Sequence, residues 1–200
     1  MKVLFQGAEA SVFETSFFGE KCVLKKREHK NYRARQLNEK IIAERTRQEC
    51  QLLAKAKSCK VRVPAILFAD KKKGEIFLEY LSGKSAKNLP AKELEKKCAL
   101  IGKTIARLHD AGIIHGDLTT ANFVEEKARL VFLDFGLGFF SEKIEDKATD
   151  LLVLKKTFSA GHQKAKNAWK KTIQSYITNS SKGRQVIDHI AEIEKRVRYS

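Results

Sequence analysis

The sequence predicts an α+β chain of two unequal lobes, on three observations. Short alternating apolar runs fill roughly the first 80 residues, with one helical stretch among them. After Pro90 the period changes: Leu94, Cys98, Ile101, Ile105 and Leu108 recur at intervals of four and three, and Gly112 stands where such a helix would stop. No repeat or low-complexity linker interrupts the chain, and its only prolines are Pro64 and Pro90. The expectation is a β-rich first lobe with one helix over residues 1–82 and a mostly helical second lobe over 83–200, joined near Glu79 to Gly83.

Five runs in the first lobe read as strands: Lys2 to Gln6, Ser11 to Phe17, Lys21 to Lys25, Ala65 to Ala69 and Glu75 to Tyr80. The last two flank a Lys71-Lys72-Lys73-Gly74 turn. Leu37 to Lys57 reads as a helix, and the face that carries Ile42, Leu53 and Ala56 also carries Glu49. A carboxylate inside an apolar stripe is costly unless it is paired. Lys25, at the end of Cys22-Val23-Leu24-Lys25, would meet that need; the alternative is Glu49 tilted to the edge of the stripe and paired with Arg45. In the second lobe, Phe123-Val124 and Leu130-Val131-Phe132-Leu133 flank the polar Glu125-Glu126-Lys127-Ala128 and should form a β-hairpin. Pairing Val124 with Phe132 and Phe123 with Leu133 sets Asn122 opposite Asp134.

Composition bounds the function. A chain of 200 residues with 42% hydrophobic content can bury a real core, which argues against a disordered protein. Cys22, Cys50, Cys59 and Cys98 form no C-x-x-C pair, so free thiols in a reducing compartment are expected. The longest apolar runs fall far short of the ~20 residues that span a bilayer. The expectation is a soluble cytoplasmic protein, with the nucleus as a second compartment. The formal net charge is +16, and it is uneven: residues 20–60 carry 13 Lys/Arg against 5 Asp/Glu, and residues 155–200 carry 11 against 3. Two basic regions point to a polyanionic partner, nucleic acid first, because phosphate neutralisation supplies most non-specific affinity. A solvated lysine-rich surface is the plainer alternative.

The chemistry lies in His115-Gly116-Asp117-Leu118-Thr119-Thr120-Ala121-Asn122. An aspartate followed five positions later by an asparagine suits phosphoryl transfer, where one orients the nucleophile and the other holds magnesium. Asp134 opens Asp134-Phe135-Gly136, the D-F-G triplet of kinases, and supplies a second oxygen ligand. Lys25 paired with Glu49 would aim the lysine at nucleotide phosphates. Gly7 lies in a loop placed to cover those phosphates, with Phe5 and Ala10 at the other two positions of the kinase glycine pattern. Leu78-Glu79-Tyr80-Leu81 would be the hinge, where the backbone of Glu79 and Leu81 could meet adenine; a plain strand end explains the same residues. The expected cofactors are ATP and Mg2+.

Taken together, several segments resemble one family: Gly7-Ala8-Glu9-Ala10, Lys30-Asn31-Tyr32-Arg33, Glu44-Arg45-Thr46-Arg47-Gln48-Glu49, His115 to Asn122, Asp134 to Gly138 and Glu145 to Asp150. They are similar to the small atypical kinase of the KEOPS complex, the PRPK family, from Gly7 to about His162. The resemblance implies a minimal two-lobed protein-kinase-like fold and an ATPase or Ser/Thr kinase activity. It also implies assembly with a Kae-type threonylcarbamoyl transferase, and with other KEOPS subunits, in a complex that modifies tRNA. Where that family carries a basic Arg-Gly-Arg-Lys tail this chain reads Arg196-Val197-Arg198-Tyr199-Ser200, so the resemblance does not extend to that tail.

Other residues argue against a conventional protein kinase. Gly116 replaces the arginine that would clamp a phosphorylated activation loop, no A-P-E triplet is present, and only 15 residues separate Asp134 from Asp150. Thr119 stands where many kinases carry a lysine toward the transferred phosphate, so phosphotransfer to protein should be slow. Asp150, if on the next helix, would bond the backbone of the catalytic loop, and His115 would shape that loop. Two other classes stay open: a small-molecule phosphotransferase of the aminoglycoside or choline type, and a non-catalytic RNA-binding module.

Overall fold

The computed structural model describes residues 1–7, 9–30, 34–127 and 129–198. Of the resembling segments above, Ala8 and Asn31 to Arg33 lie outside the described residues. The first lobe holds β1 (Lys2–Gln6), β2 (Ala10–Phe17), β3 (Glu20–Arg27), β4 (Ile66–Asp70) and β5 (Glu75–Glu79). They form one antiparallel sheet in the order β1-β2-β3-β5-β4, so β3, which carries Lys25, is its central strand. β2 and β3 close over Phe18 and Gly19, both at positive φ as a two-residue hairpin turn requires.

α1 (Arg35–Ser58) crosses behind this sheet and buries Asn38, Ile42, Thr46, Glu49, Leu52, Leu53 and Ala56. The buried face is the predicted stripe, with the carboxylate inside it. α2 (Ala91–Asp110) begins immediately after Pro90 and ends before Gly112, whose φ of 70° suits a residue without a Cβ. Leu94, Cys98, Ile101, Ile105 and Leu108 are all fully or almost fully buried. α3 (Ile144–Gly161), α4 (Ala168–Asn179) and α5 (Gly183–Arg198) complete the helical lobe. α4 crosses α2 so closely that a Cβ at Gly102 would lie 2.1 Å from the Thr172 carbonyl oxygen.

Small strands frame the loop between α2 and α3. β6 (Lys84–Ser85), β8 (Phe123–Glu126) and β9 (Arg129–Phe132) form one sheet, and β7 (Ile113–Ile114) pairs with β10 (Phe139–Phe140). The β8–β9 hairpin forms, but its register corrects the expected one: Phe123 faces Phe132 and Val124 faces Val131. Glu126 pairs with Arg129, so the strands run into the stretch expected as a turn, and Lys127 takes a φ of 48°. A lysine does not announce such a conformation, which Asn or Gly usually signals. Asn122 therefore meets Leu133, whose N–H donates to the Asn122 carbonyl oxygen at 2.9 Å, and Asp134 lies one residue beyond.

The apolar core is continuous. Leu52, Leu53 and Ala56 of α1 pack in one cluster with Leu94 and Ile101 of α2, Phe123, Phe132 and Phe135, Leu151 of α3, Tyr176 of α4 and Val186 of α5. The helix of the first lobe thus has its C-terminal half in the core of the second. Among the described residues no helix is long and apolar enough to cross a membrane, and all four cysteines are free.

Candidate active site

On a strand, residues two apart share a face, and β3 turns Lys25 and Arg27 toward α1 together. The Lys25 ammonium donates to Glu49 Oε1 at 2.6 Å, and the Arg27 guanidinium donates through Nη2 to Glu49 Oε2 at 2.7 Å. All three side chains are buried. The Lys25–Glu49 pair is the one the misplaced carboxylate called for; Arg45, the alternative partner, bonds Glu9 instead. Sequence reasoning misses Arg27, although strand periodicity from Lys25 points to it.

Lys25 Nζ also donates to Asp134 Oδ1 at 2.6 Å, joining the sheet to the triplet after β9. Burial alone would lower the Lys25 pKa; the Glu49 and Asp134 carboxylates outweigh it and hold the ammonium above the ordinary lysine value. Burial pushes Asp134 the other way, but the adjacent Lys25 charge and its hydrogen bond, with the Gly136 N–H, bring the carboxyl below its usual range. Asp134 has a φ of 55°, a left-handed conformation that aspartate tolerates better than most residues. A Cβ at Gly136 would lie 2.9 Å from both Lys25 Nζ and Asp134 Oδ1, so a side chain there would displace these two groups from each other.

The loop from His115 to Asn122 is held from below. Asp150, buried on α3, accepts from the backbone N–H groups of His115 and Gly116 at 2.9 Å each, and lies 3.2 Å from His109 Nε2. His115 Nδ1 accepts the Asp117 N–H at 3.3 Å, which leaves Nε2–H to donate to the Leu133 carbonyl at 2.9 Å. Gly116 has a φ of 79°, and a Cβ on it would sit 2.3 Å from the Leu137 oxygen. That contact excludes any side chain where other kinases place arginine. Asn122 donates through Nδ2 to the Asp117 carbonyl at 2.9 Å and to Asp117 Oδ2 at 2.8 Å. Thr120, between them, is hydrogen-bonded to His162 Nε2 at 2.8 Å, a link with no sequence signal beyond the residues themselves.

Gly7, Lys25, Arg27, Asp117, Asp134 and Gly136 line a single cleft of about 200 Å³, with Phe5 and Leu137 among its apolar walls. Gly7 donates its N–H to the Ala10 carbonyl at 3.0 Å and packs on the Phe5 ring, where a Cβ would fall 2.8 Å from the nearest carbon. Glu49 stands behind Lys25 and Asn122 behind Asp117. The two hinge residues are placed apart from this group. Glu79 ends β5, with its carboxylate held by Arg62 and by the Ala65 N–H at 3.1 Å, bonds that keep its pKa low; Leu81 follows, half-buried. A larger hollow of about 670 Å³ between α1 and β4 brings none of the predicted site residues together.

Residues 2–161 match the protein kinase domain family. Over its full length the chain is 36% identical to the KEOPS complex subunit Bud32 of Pyrococcus abyssi, covering 96% of that protein. It is 34% identical, over 98% of its length, to the EKC/KEOPS complex subunit bud32 of Dictyostelium discoideum, and covers 82% of it. A probable bifunctional tRNA threonylcarbamoyladenosine biosynthesis protein of Methanothermobacter thermautotrophicus is 37% identical over 99% of the chain, which spans only 36% of that relative's length. Among solved structures, the Rio2 kinase–ADP/Mg2+–phosphoaspartate complex from Chaetomium thermophilum shares the fold, with a TM-score of 0.68 and 14% identity over 100% of this chain and 72% of the other. The chain belongs to the protein kinase domain family and, within it, to the family of the KEOPS complex subunit Bud32.

Proposed function

We propose that this chain is an atypical kinase or ATPase that binds ATP and Mg2+ in the Lys25–Asp134 cleft. It would serve as the kinase-like subunit of a KEOPS complex, supporting threonylcarbamoyladenosine modification of tRNA. One observation carries the reading: a buried lysine held at 2.6 Å by both Glu49 and Asp134 lines a cleft that Asp117 also lines. The first lobe, residues 1–82, supplies the lysine and its carboxylate, and the second, 83–200, supplies the loop and metal ligands.

The residues present suit the ligand. Magnesium prefers oxygen donors; the cleft offers the Asp134 carboxylate, and the Asn122 amide stands behind Asp117, with its Nδ2 committed to Asp117 and its Oδ1 not. When bound, the metal and nucleotide supply a polarised γ-phosphoryl group. The chain's own part is positioning. Lys25, steadied by Glu49, neutralises phosphate charge, Gly7 lets backbone approach it, and Asp117, fixed through Asn122 and His115, orients the attacking hydroxyl or water and accepts its proton. Glu79 and Leu81 are assigned to adenine through their backbone. Thr119 and the short stretch from Asp134 to Asp150 make ATP hydrolysis, or transfer to a single dedicated acceptor, a better fit than general protein phosphorylation.

The partners follow from the relatives' names: a Kae-type threonylcarbamoyl transferase, other KEOPS subunits, and tRNA through basic surfaces. The positive charge is put to more than one use. In the first lobe Lys25 and Arg27 are spent inside the cleft, while Lys26 and Arg45 pair with Glu75 and Glu9. Lys40, Arg47, Lys55 and Lys57 of the first lobe and Lys164, Lys166, Lys170 and Lys182 of the second are exposed and would supply the RNA contacts. The test is an ATPase assay with and without tRNA and a candidate transferase. Turnover that requires magnesium and rises with the partners is expected; absence of magnesium-dependent ATP binding would leave an RNA-binding module as the surviving function.

A further inference from the structure

Glu49 is shared. Each of its two carboxylate oxygens takes a different cation from β3, Oε1 from Lys25 and Oε2 from Arg27. The two cations differ in what else they do. Lys25 divides itself between Glu49 and Asp134, so any ligand that draws Lys25 away weakens its hold on Glu49. Arg27 has no bond to Asp134, and its Nε is buried without a hydrogen-bond partner. An unsatisfied buried donor is a cost, and the guanidinium stays there with Glu49 as its sole anion among the described salt bridges. The neighbouring residue fastens the same helical turn from the other side, since Gln48 Nε2 donates to the Gly138 carbonyl at 2.7 Å.

We propose that Arg27 is a positioning residue that keeps Glu49, and with it α1, in working position while Lys25 turns to the phosphates. This rests on the nucleotide reading above. In a kinase where lysine alone holds the helix carboxylate, the lysine must serve two anions at once, and helix placement becomes a regulated step. Here the second cation removes that dependence. With 15 residues between Asp134 and Asp150 and Gly116 closed to any side chain, no activation-segment phosphate is needed to seat α1.

Hydrogen–deuterium exchange of residues 42–49, read by mass spectrometry, tests this in two arms. Without nucleotide, Lys25→Met leaves Glu49 to Arg27 alone, and exchange should stay within about threefold of the unsubstituted chain; acceleration by about tenfold, the scale of one missing charge-assisted hydrogen bond, would overturn the proposal. That arm needs no ligand and survives failure of the nucleotide reading, which would show separately as no magnesium–ATP binding by the unsubstituted chain. With saturating magnesium–ATP, Arg27→Met should accelerate exchange by about tenfold or more, and Arg27→Lys should restore most of the protection. Unchanged exchange in Arg27→Met refutes the assignment. So does loss of ATP binding with α1 fully protected, which would make Arg27 a phosphate ligand instead. Should Arg27→Met not fold, Arg27→Gln, which keeps a donor and loses the charge, is measured under the same criterion.

Discussion

Glu49 and Asp134 hold the same ammonium at the same distance of 2.6 Å, yet their removal should cost very different amounts. The Glu49 side chain is 2% exposed and faces two cations that are 9% and 5% exposed. Glu49→Gln takes from Arg27 its one anion among the described residues, and breaking a buried pair from one side costs about 3–5 kcal/mol. Asp134 is 50% exposed in its side chain, and Lys25 keeps Glu49 when it goes. Asp134→Asn, which preserves a residue tolerant of positive φ, should cost no more than the roughly 1 kcal/mol of a solvent-screened pair. For a chain of this size about 1 kcal/mol moves Tm by roughly 2–4 °C. Differential scanning calorimetry of the unliganded chain should then show a fall of about 6 °C or more for Glu49→Gln and about 4 °C or less for Asp134→Asn. Turnover should not follow stability: Asp134→Asn is predicted to lose magnesium-dependent ATP turnover while melting almost normally. Equal Tm losses, or retained turnover in Asp134→Asn, would refute the reasoning.

The same pair sets a pH dependence. The Asp134 pKa is depressed in the folded chain, so its contribution is complete above about pH 4 and disappears as pH falls through the depressed value. The Tm gap between the unsubstituted chain and Asp134→Asn should be flat near neutrality and close in strong acid; a gap that widens there counts against the ion pair. Asp150→Ala removes the acceptor of the His115 and Gly116 N–H groups, and should cost about 3 kcal/mol or more while raising amide exchange at those two residues. Gly116→Ala meets both the positive φ and the 2.3 Å contact with Leu137, so a loss of at least about 1–2 kcal/mol in a urea melt is expected. Reversing exposed Lys164, Lys166 and Lys170 to glutamate should reduce the magnitude of the log–log salt slope of tRNA binding by about 0.7–0.9 for each phosphate no longer neutralised. An unchanged slope with unchanged affinity would remove these lysines from the RNA surface.

What the sequence disclosed depended on whether a residue contradicted its surroundings. Glu49 in an apolar stripe needed a partner, and that conflict led to Lys25 across 24 positions of chain. Arg27 raised no such conflict, standing third in a run of cations, Lys25-Lys26-Arg27, where only the alternation of a strand separates the inward residues from the paired Lys26. The long strands and α2 announced themselves by period, but β6, β7 and β10 have two residues each, too few for any period to show. The hairpin register slipped by one because Lys127 adopts a left-handed conformation without the Asn or Gly that normally signals it. Asp150 was legible through its distance from the D-F-G triplet, whereas the bond between Thr120 and His162 joins residues 42 apart that no pattern connects.

The packing of α1 bears on how this protein can be cut. Leu52, Leu53 and Ala56 are at most 3% exposed, and they belong to one core cluster whose members come largely from beyond residue 82. A fragment ending at the hinge would return these groups to water at about 1.5–3 kcal/mol for each leucine. The complementary fragment would keep a hollow where the helix had been, and a hollow of that kind destabilises in proportion to its volume. Neither piece is a viable module, so expression of the sheet lobe alone should yield aggregate. Gene fusion or circular rearrangement would have to carry the whole stretch, sheet and helices together, as one indivisible block.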